Sequence, residues 1–297
     1  MRGRDLAYLL ILAAIWGGSF LFMRIAVPEL GAFAMIFVRL AVAAMVLLPV
    51  LFWRGKWPAL RARWRPIAVV GCLNSAIPFV LIAYAARELN AGLLSIMNAV
   101  TPLAGAAVAW VWLKESLPPS RVLGLALGMA GILILVWDTL SASVGGPLPA
   151  VLAGIAGPCF YGLAACYTKR YLTGADTLAC TAGGMTAATA LLAVPAFLMW
   201  PQVPVSAGAW AATVVLGVLC TGFAYLLLFQ LIARVGPQKA ITVTFLVPVF
   251  GVLWGWLWLD EVLNWRVIAG ALVVLAGTAL ATGVVERRAA QPGTRPV

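Results

Sequence analysis

Ten long apolar segments follow one another along the chain, separated by short polar connections. Apolar residues make up 64% of the sequence and charged residues only 10%, whereas a soluble domain usually carries about 25% charged residues. A helix needs about 20 mostly apolar residues to cross about 30 Å of hydrocarbon. The pattern therefore predicts an all-α, polytopic membrane protein. The predicted spans are Leu6–Met23, Ala32–Phe52, Pro66–Ala86, Ala91–Leu113, Val122–Val136, Ala150–Tyr167, Thr177–Met199, Trp210–Ile232, Ala240–Leu259 and Val267–Val285.

Basic residues are distributed unevenly between the two predicted membrane surfaces. If the N-terminus is cytoplasmic, sixteen of the 20 Lys and Arg residues face the cytoplasm, whereas Arg24, Arg87 and Arg266 face the other side. This is the bias expected of cytoplasmic loops. It predicts a protein of the plasma (bacterial inner) membrane with both termini in the cytoplasm. It also accounts for the net charge of +11 without a nucleic-acid partner.

One stretch of the chain occurs twice. The segment 102–115 (PLAGAAVAWVWLKE) aligns without a gap with 248–261 (PVFGVLWGWLWLDE), at a shift of 146 residues. Ten positions are identical between 102–131 and 248–277, and they include the Pro, Gly, Trp and Glu residues. This self-similarity indicates an internal duplication.

The duplication predicts five spans in each half of the chain. The first repeat is assigned to residues 1–138 and the second to 149–297, forming one integrated transmembrane domain, with a polar linker between them. Because five is odd, the second repeat enters the membrane from the opposite side and must be inverted. Inverted repeats are common in secondary transporters, whose substrate site lies near the membrane midplane.

Several polar side chains fall within the predicted spans. Amides and hydroxyls in hydrocarbon need hydrogen-bond partners, so they either hold helices together or contact a substrate. The third and eighth spans contribute Asn74, Tyr84, Tyr225 and Gln230. The fourth span carries Asn98, Thr101 and Pro102 on one face, and the ninth carries Thr244 and Pro248 at the repeated positions. Each proline frees a backbone carbonyl, which predicts either a midplane cavity or a packing kink.

Three charged residues at the spans are assigned structural or gating roles. Arg39 lies about 10 Å inside the second span. An arginine there is a candidate functional residue, because burying it unpaired costs several kcal/mol; alternatively it has a structural role and snorkels to the surface or binds helix-end carbonyls. Glu115 and Glu261 close the repeated segment and are expected at opposite membrane surfaces, capping helices or forming salt bridges. A gating or ion-coupling role for the two carboxylates is the alternative.

The sequence offers no constellation for enzymatic chemistry. It contains no histidine, no phosphate-binding Gly-rich loop with Lys-Ser/Thr, and no cysteines at metal-ligand spacing. The five cysteines all fall within predicted spans and are interpreted as small buried side chains. We therefore expect no enzymatic activity, no cofactor and no metal.

The repeated Pro…Gly…Leu-x-Glu block, each copy followed by Gly124 or Gly270, resembles the drug/metabolite transporter superfamily, and its EamA type in particular. Trp16-Gly17, Arg39 and Tyr225-Leu226-Leu227 also fit this resemblance. It implies ten spans around a cavity lined by the first, third, fourth, sixth, eighth and ninth. The substrate-binding residues implied in this way are Trp16, Ser19, Asn74, Asn98, Thr101, Tyr161, Tyr225, Gln230 and Thr244. These spans carry no basic residue at mid-depth, which argues against a phosphorylated substrate.

The expected function is the export, by alternating access, of a small neutral or zwitterionic metabolite such as an amino acid or drug-like compound. A passive facilitator or channel and a lipid flippase or scramblase are the alternatives. The expected partners are the small-molecule substrate and the lipid bilayer, and a homodimer is left open.

Overall fold

The computed structural model describes residues 3–141, 148–240, 242–262 and 264–281, and these ranges contain helices and no strand. The predicted linker between the repeats and the end of the tenth predicted span fall partly outside them. We number the membrane helices as spans 1 to 10. They comprise residues 3–30, residues 32–53, Trp64–Ala85, Ala91–Trp112, Pro119–Ser141, Leu148–Tyr171, Thr177–Leu198, Ala207–Val235, Val243–Leu259 and Trp265–Ala281.

Spans 1 and 2 belong to one helical element, Gly3–Trp53, which is interrupted at Gly31. Its 51 residues would reach about 75 Å at 1.5 Å per residue, more than twice the hydrocarbon thickness. Gly31 has φ 71° and ψ 163°, a backbone conformation that glycine adopts without a steric penalty. The element therefore crosses the membrane twice.

Seven of the described helices are long and apolar enough to cross a membrane, and the element Gly3–Trp53 is one of them. Two shorter apolar helices, Val243–Leu259 and Trp265–Leu280, follow. The seven long helices and the two shorter ones make nine, and because the element Gly3–Trp53 crosses twice, the total is the ten predicted spans. The all-helical, polytopic fold is thus confirmed, and a short helix, Trp57–Ala62, lies in the basic loop after span 2.

Spans 3 and 8 contain irregular segments that the sequence does not predict, and span 4 is interrupted next to Pro102, where the sequence predicts a cavity or a kink. Span 3 contains the π-helical segment Cys72–Ala76 and span 8 contains Val218–Phe223. Both segments begin at the same place in the repeat, since 72 and 218 differ by 146. Span 4 is divided into Ala91–Asn98 and Thr101–Trp112. Single π-turns inside membrane helices are often found at functional sites.

The packing of span 4 differs between its two halves. Its first half, Ala91–Asn98, packs against span 9, whereas its second half, Thr101–Trp112, packs mainly against span 6. Spans 5 and 10 form a separate pair through small residues, with Gly277 facing Gly124 and Gly128. Span 9 therefore closes on span 4 at one end of the helix only.

Asp176 caps the first turn of span 7 outside the membrane core. Its carboxylate accepts the N–H of Ala179 at 3.0 Å and pairs with Lys56 at 3.1 Å. Partial burial raises the pKa of Asp176, but the Ala179 N–H and Lys56 outweigh this and hold the pKa below its ordinary value. The cap therefore stabilises the fold at neutral pH, and this contribution is lost as the pH falls below about 4 toward the lowered pKa.

We expect Asp176→Ala to lower the free energy of unfolding by about 1 kcal/mol at pH 7, because the helix loses its N-cap. Asp176→Asn keeps the cap and serves as the control. Thermal unfolding at pH 7 and near pH 3 measures both effects. If the difference in stability between the wild type and Asp176→Ala were as large near pH 3 as at pH 7, the effect could not be assigned to the ionised carboxylate.

Candidate functional site

A cavity of about 310 Å³ lies between spans 1, 2, 3 and 4 of the first half and spans 6, 8 and 9 of the second. Its lining combines amide, hydroxyl, aromatic and guanidinium groups. Among the described residues, no three His, Cys, Asp or Glu side chains come together as a metal site. The residues that the sequence predicts for the site and that line this cavity are Trp16, Ser19, Asn74, Asn98, Thr101, Tyr161, Tyr225 and Thr244.

The break in span 4 presents Asn98 to the cavity. Pro102 cannot donate a hydrogen bond to the Asn98 carbonyl, and the Thr101 hydroxyl donates to it instead at 2.7 Å. In span 10, Thr278 donates to the Ala99 carbonyl at 3.0 Å. The backbone of the break is thus satisfied, whereas the buried side-chain oxygen Oδ1 of Asn98 accepts no hydrogen bond within the described structure. This oxygen is available to a ligand donor.

The prolines themselves are not part of the lining. Instead, the residue directly before each proline lines the cavity: Thr101 before Pro102, and Val247 before Pro248. The carbonyl of Pro248 lies 3.5 Å from the Ser95 hydroxyl, which donates more closely to the Gly92 carbonyl at 2.7 Å. The prolines therefore shape the two helices that border the cavity.

The π-helical segments also place polar groups at the cavity. Asn74 lies in the segment of span 3 and donates to the Tyr225 hydroxyl of span 8 at 3.4 Å. Cys220 occupies the repeated position in the segment of span 8 and lines the cavity. The Ser19 hydroxyl lies beside the Cys220 thiol, a weak hydrogen-bonding group, and makes no regular hydrogen bond among the described residues.

Two pairs of aromatic rings form part of the cavity wall. Trp16 meets Tyr225 edge to face with ring centroids 6.2 Å apart, and Phe79 meets Tyr161 in the same way at 6.3 Å. Each pair joins one helix of the first half to one of the second. Rigid rings of this kind provide apolar contact area with polar tips. They suit a ligand that has an apolar part.

Arg39 corrects two expectations drawn from the sequence. Its side chain is 5% exposed and lines the cavity, so the expectation of walls without a basic residue is wrong. It neither snorkels nor binds helix-end carbonyls, since its Nε donates to the Thr221 hydroxyl of span 8 at 2.9 Å. The guanidinium carbon lies 4.0 Å from the centre of the Phe79 ring. The mid-helix position of Arg39 alone does not reveal which neighbour it faces.

Tyr84 and Gln230 lie outside the cavity and are withdrawn from the candidate site. The Tyr84 side chain is 40% exposed, and Gln230 is also exposed on the surface of span 8. Both are polar residues in apolar helices, and this pattern does not distinguish a cavity face from an outer face. The structure makes that distinction through helix orientation.

Glu115 and Glu261 lie at opposite ends of span 4. Glu261 accepts the N–H groups of Ala91 and Gly92, at 2.6 and 3.0 Å, and so caps the start of span 4. Glu115 follows the end of the same span and pairs with Lys169 of span 6. Glu261 thus caps a helix and Glu115 forms an ion pair, as the sequence predicts for these two residues.

Two ranges of the chain, residues 5–137 and 148–283, match the family model described as the EamA-like transporter family. The chain belongs to this family. The match covers both repeats and confirms the resemblance seen in the sequence. The EamA-like family consists of multi-pass membrane transporters, so the chain is a membrane transporter.

Relatives of this EamA-like protein share its full length. An uncharacterized Pseudomonas aeruginosa protein, PA1977, is 29% identical and covers 99% of this chain and 100% of its own. The Bacillus subtilis transporter YoaV, also uncharacterized, is 22% identical over 92% of this chain and 95% of its own. A Streptantibioticus cattleyicolor protein named "Probable terminal-alkyne amino-acid exporter" is 26% identical over 97% of both chains. One solved crystal structure, 21% identical, matches 98% of this chain with a TM-score of 0.66 and shares its fold.

Proposed function

We propose that this protein is a secondary transporter that exports a small amino acid or a related neutral or zwitterionic, partly apolar metabolite by alternating access. The observation that carries the proposal is the cavity, which is lined from both halves and combines aromatic walls with the unsatisfied Asn98 oxygen. The name of the Streptantibioticus relative supports an amino-acid-like substrate. We infer that the protein acts as a carrier and not as an enzyme.

The packing around the cavity supports alternating access. Span 9 holds the first half of span 4 at the Glu261 end, whereas the second half packs mainly against span 6. We infer that the repeats are inverted and that both termini are cytoplasmic, so the Glu115 end faces the cytoplasm.

Counterflow in proteoliposomes tests the proposed mechanism. The purified protein is reconstituted with unlabelled leucine, phenylalanine and methionine inside the vesicles, and entry of the same labelled amino acids is measured. A carrier is expected to take up label faster when the vesicles are preloaded. Equal rates with and without preloading would indicate a channel, and no uptake of any of the three would contradict the proposed substrate class. Flipping of a fluorescent lipid instead would support a flippase.

The cavity assignment has its own prediction. We expect Asn98→Ala and Thr244→Val together to raise the substrate concentration for half-maximal counterflow by about thirtyfold, because each lost hydrogen bond costs about 1 kcal/mol. Gln230→Ala is the matched control, since Gln230 lies outside the cavity. An unchanged concentration dependence in the double variant would contradict the assignment.

A further inference from the structure

Arg39 is a buried cation with no carboxylate partner among the residues that the structure describes. The ion pairs among the described residues are Lys56–Asp176, Lys169–Glu115 and Arg234–Asp5, and none of them involves Arg39. A buried charge without a partner costs several kcal/mol, so intramembrane arginines are found paired or at a functional site. The contact of the guanidinium with the Phe79 ring offsets only part of this cost.

The guanidinium retains unused hydrogen-bond donors. An arginine carries five N–H donors in one plane. In Arg39, Nε donates to Thr221 and Nη1 approaches the Met23 sulfur, a weak acceptor, at 3.9 Å. Nη2 donates no hydrogen bond within the described ranges. The residue therefore faces the cavity with a positive charge and free donors.

The second repeat indicates that helix packing does not require this charge. Pro49 of span 2 and Pro195 of span 7 align at the shift of 146, which places Met185 at the position of Arg39. Met185 is 2% exposed, so an apolar side chain fills the corresponding place in the other half. The arginine is therefore present in the first repeat only, and its side chain lines the cavity.

We propose that Arg39 binds a carboxylate of the transported molecule through its free N–H groups. Planar guanidinium groups match carboxylates in a two-bond geometry, and one guanidinium balances one negative charge. The substrate is then a small monocarboxylate whose apolar part lies against the Trp16 and Tyr161 rings. An amino group, where present, would donate to Asn98 Oδ1. This proposal rests on the proposed function and specifies its substrate class.

The test compares four molecules that share one side chain and differ in their charged groups. Leucine has both groups, 4-methylpentanoate has only the carboxylate, leucinamide has only the amine, and 4-methylpentanamide has neither. Thermal unfolding of the purified full-length protein reports their binding, because a ligand of the native state raises the apparent stability. We expect the wild type to require about tenfold less of each acid than of its amide for the same rise in Tm.

Variants separate carboxylate binding from a packing role. Arg39→Met copies the second repeat, and we expect it to remove the preference for acids, whereas Arg39→Lys should keep part of it. Thr221→Val removes the bond to Nε but leaves the guanidinium, so the preference should remain. Should Arg39→Met fail to fold, a partial fall in affinity in Arg39→Lys that affects the acids and not the amides provides the same evidence.

Two results would overturn the inference. One is an equal response, or none, of the wild type to the acids and the amides, and the other is a preference for acids that survives in Arg39→Met. The proposed transport function fails separately, through the counterflow experiment. Acid-selective binding without counterflow would leave the Arg39 site standing and refute the carrier mechanism.

Discussion

Replacing Gly17 by alanine is expected to lower the free energy of unfolding by about 1–3 kcal/mol and to abolish most transport activity. An added Cβ atom at Gly17 would lie 2.7 Å from the Phe250 Cβ and 2.8 Å from the Gly251 backbone nitrogen in span 9. These atoms cannot rotate away as the end of a flexible side chain can. Spans 1 and 9 would therefore have to separate along their contact.

Separating spans 1 and 9 would change the geometry of the cavity, because both helices line it. Trp16, next to Gly17, lines the cavity from span 1, and Thr244 and Val247 line it from span 9. A shift between the two helices displaces the aromatic wall relative to these groups. Loss of activity is therefore expected even in a variant that still folds.

Gly18→Ala is the matched control for Gly17→Ala. A Cβ atom at Gly18 would lie 3.7 Å from the nearest atom of Trp254, an ordinary van der Waals distance. Thermal unfolding and proteoliposome uptake should show a large defect for Gly17→Ala and little change for Gly18→Ala. Similar stability of the two variants would show that spans 1 and 9 are not packed as closely as described.

Glu261→Gln is expected to weaken the closed end of span 4 by about 1–2 kcal/mol and to reduce transport. The carboxylate now accepts two N–H groups at the positive end of the helix dipole. An amide keeps one acceptor but turns its NH₂ group toward the second N–H. The contact between spans 4 and 9 then loses its strongest polar link at this end.

Thiol labelling measures this opening. Val252 of span 9 lies against Gly92 in span 4, so a cysteine at position 252 reports their separation. In a variant without the five native cysteines, a water-soluble thiol reagent should label Val252→Cys faster when Glu261→Gln is present. Labelling that is unaffected by Glu261→Gln would contradict a closing role for the carboxylate.

Glu115→Gln provides the control at the repeated position. Lys114 and Asp260 share a left-handed backbone, with φ of 56° and 51°. The N–H groups of the glutamates that follow them, Glu115 and Glu261, donate to the equivalent carbonyls of Ala109 and Gly255, each at 3.2 Å. The two glutamates are thus presented alike but have different partners, a surface lysine for Glu115 and a helix start for Glu261. We expect Glu115→Gln to leave labelling at position 252 unchanged.

Much of the cavity could be predicted from the sequence because the duplication marks it. Asn98 and Thr244 occupy repeated positions beside repeated prolines, and both line the cavity. The π-helical segments that begin at Cys72 and Val218 also repeat, but their residues carry no local signal for a π-turn. Each segment directly follows a closely packed glycine, Gly71 against span 7 and Gly217 against span 2.

The sequence by itself determined the membrane class and the number of spans, because these depend on the length and composition of continuous segments. It also determined the duplication and the family, because both are visible in which residues recur along the chain. Tertiary structure alone decided which face of each span meets the cavity. In a soluble protein, the polar residues of a helix mark its solvent-facing side. A membrane helix is apolar both toward lipid and toward neighbouring helices, so its sequence does not mark the two sides. For this reason only the structure shows that Tyr84 and Gln230 lie outside the candidate site and that Arg39 belongs to it.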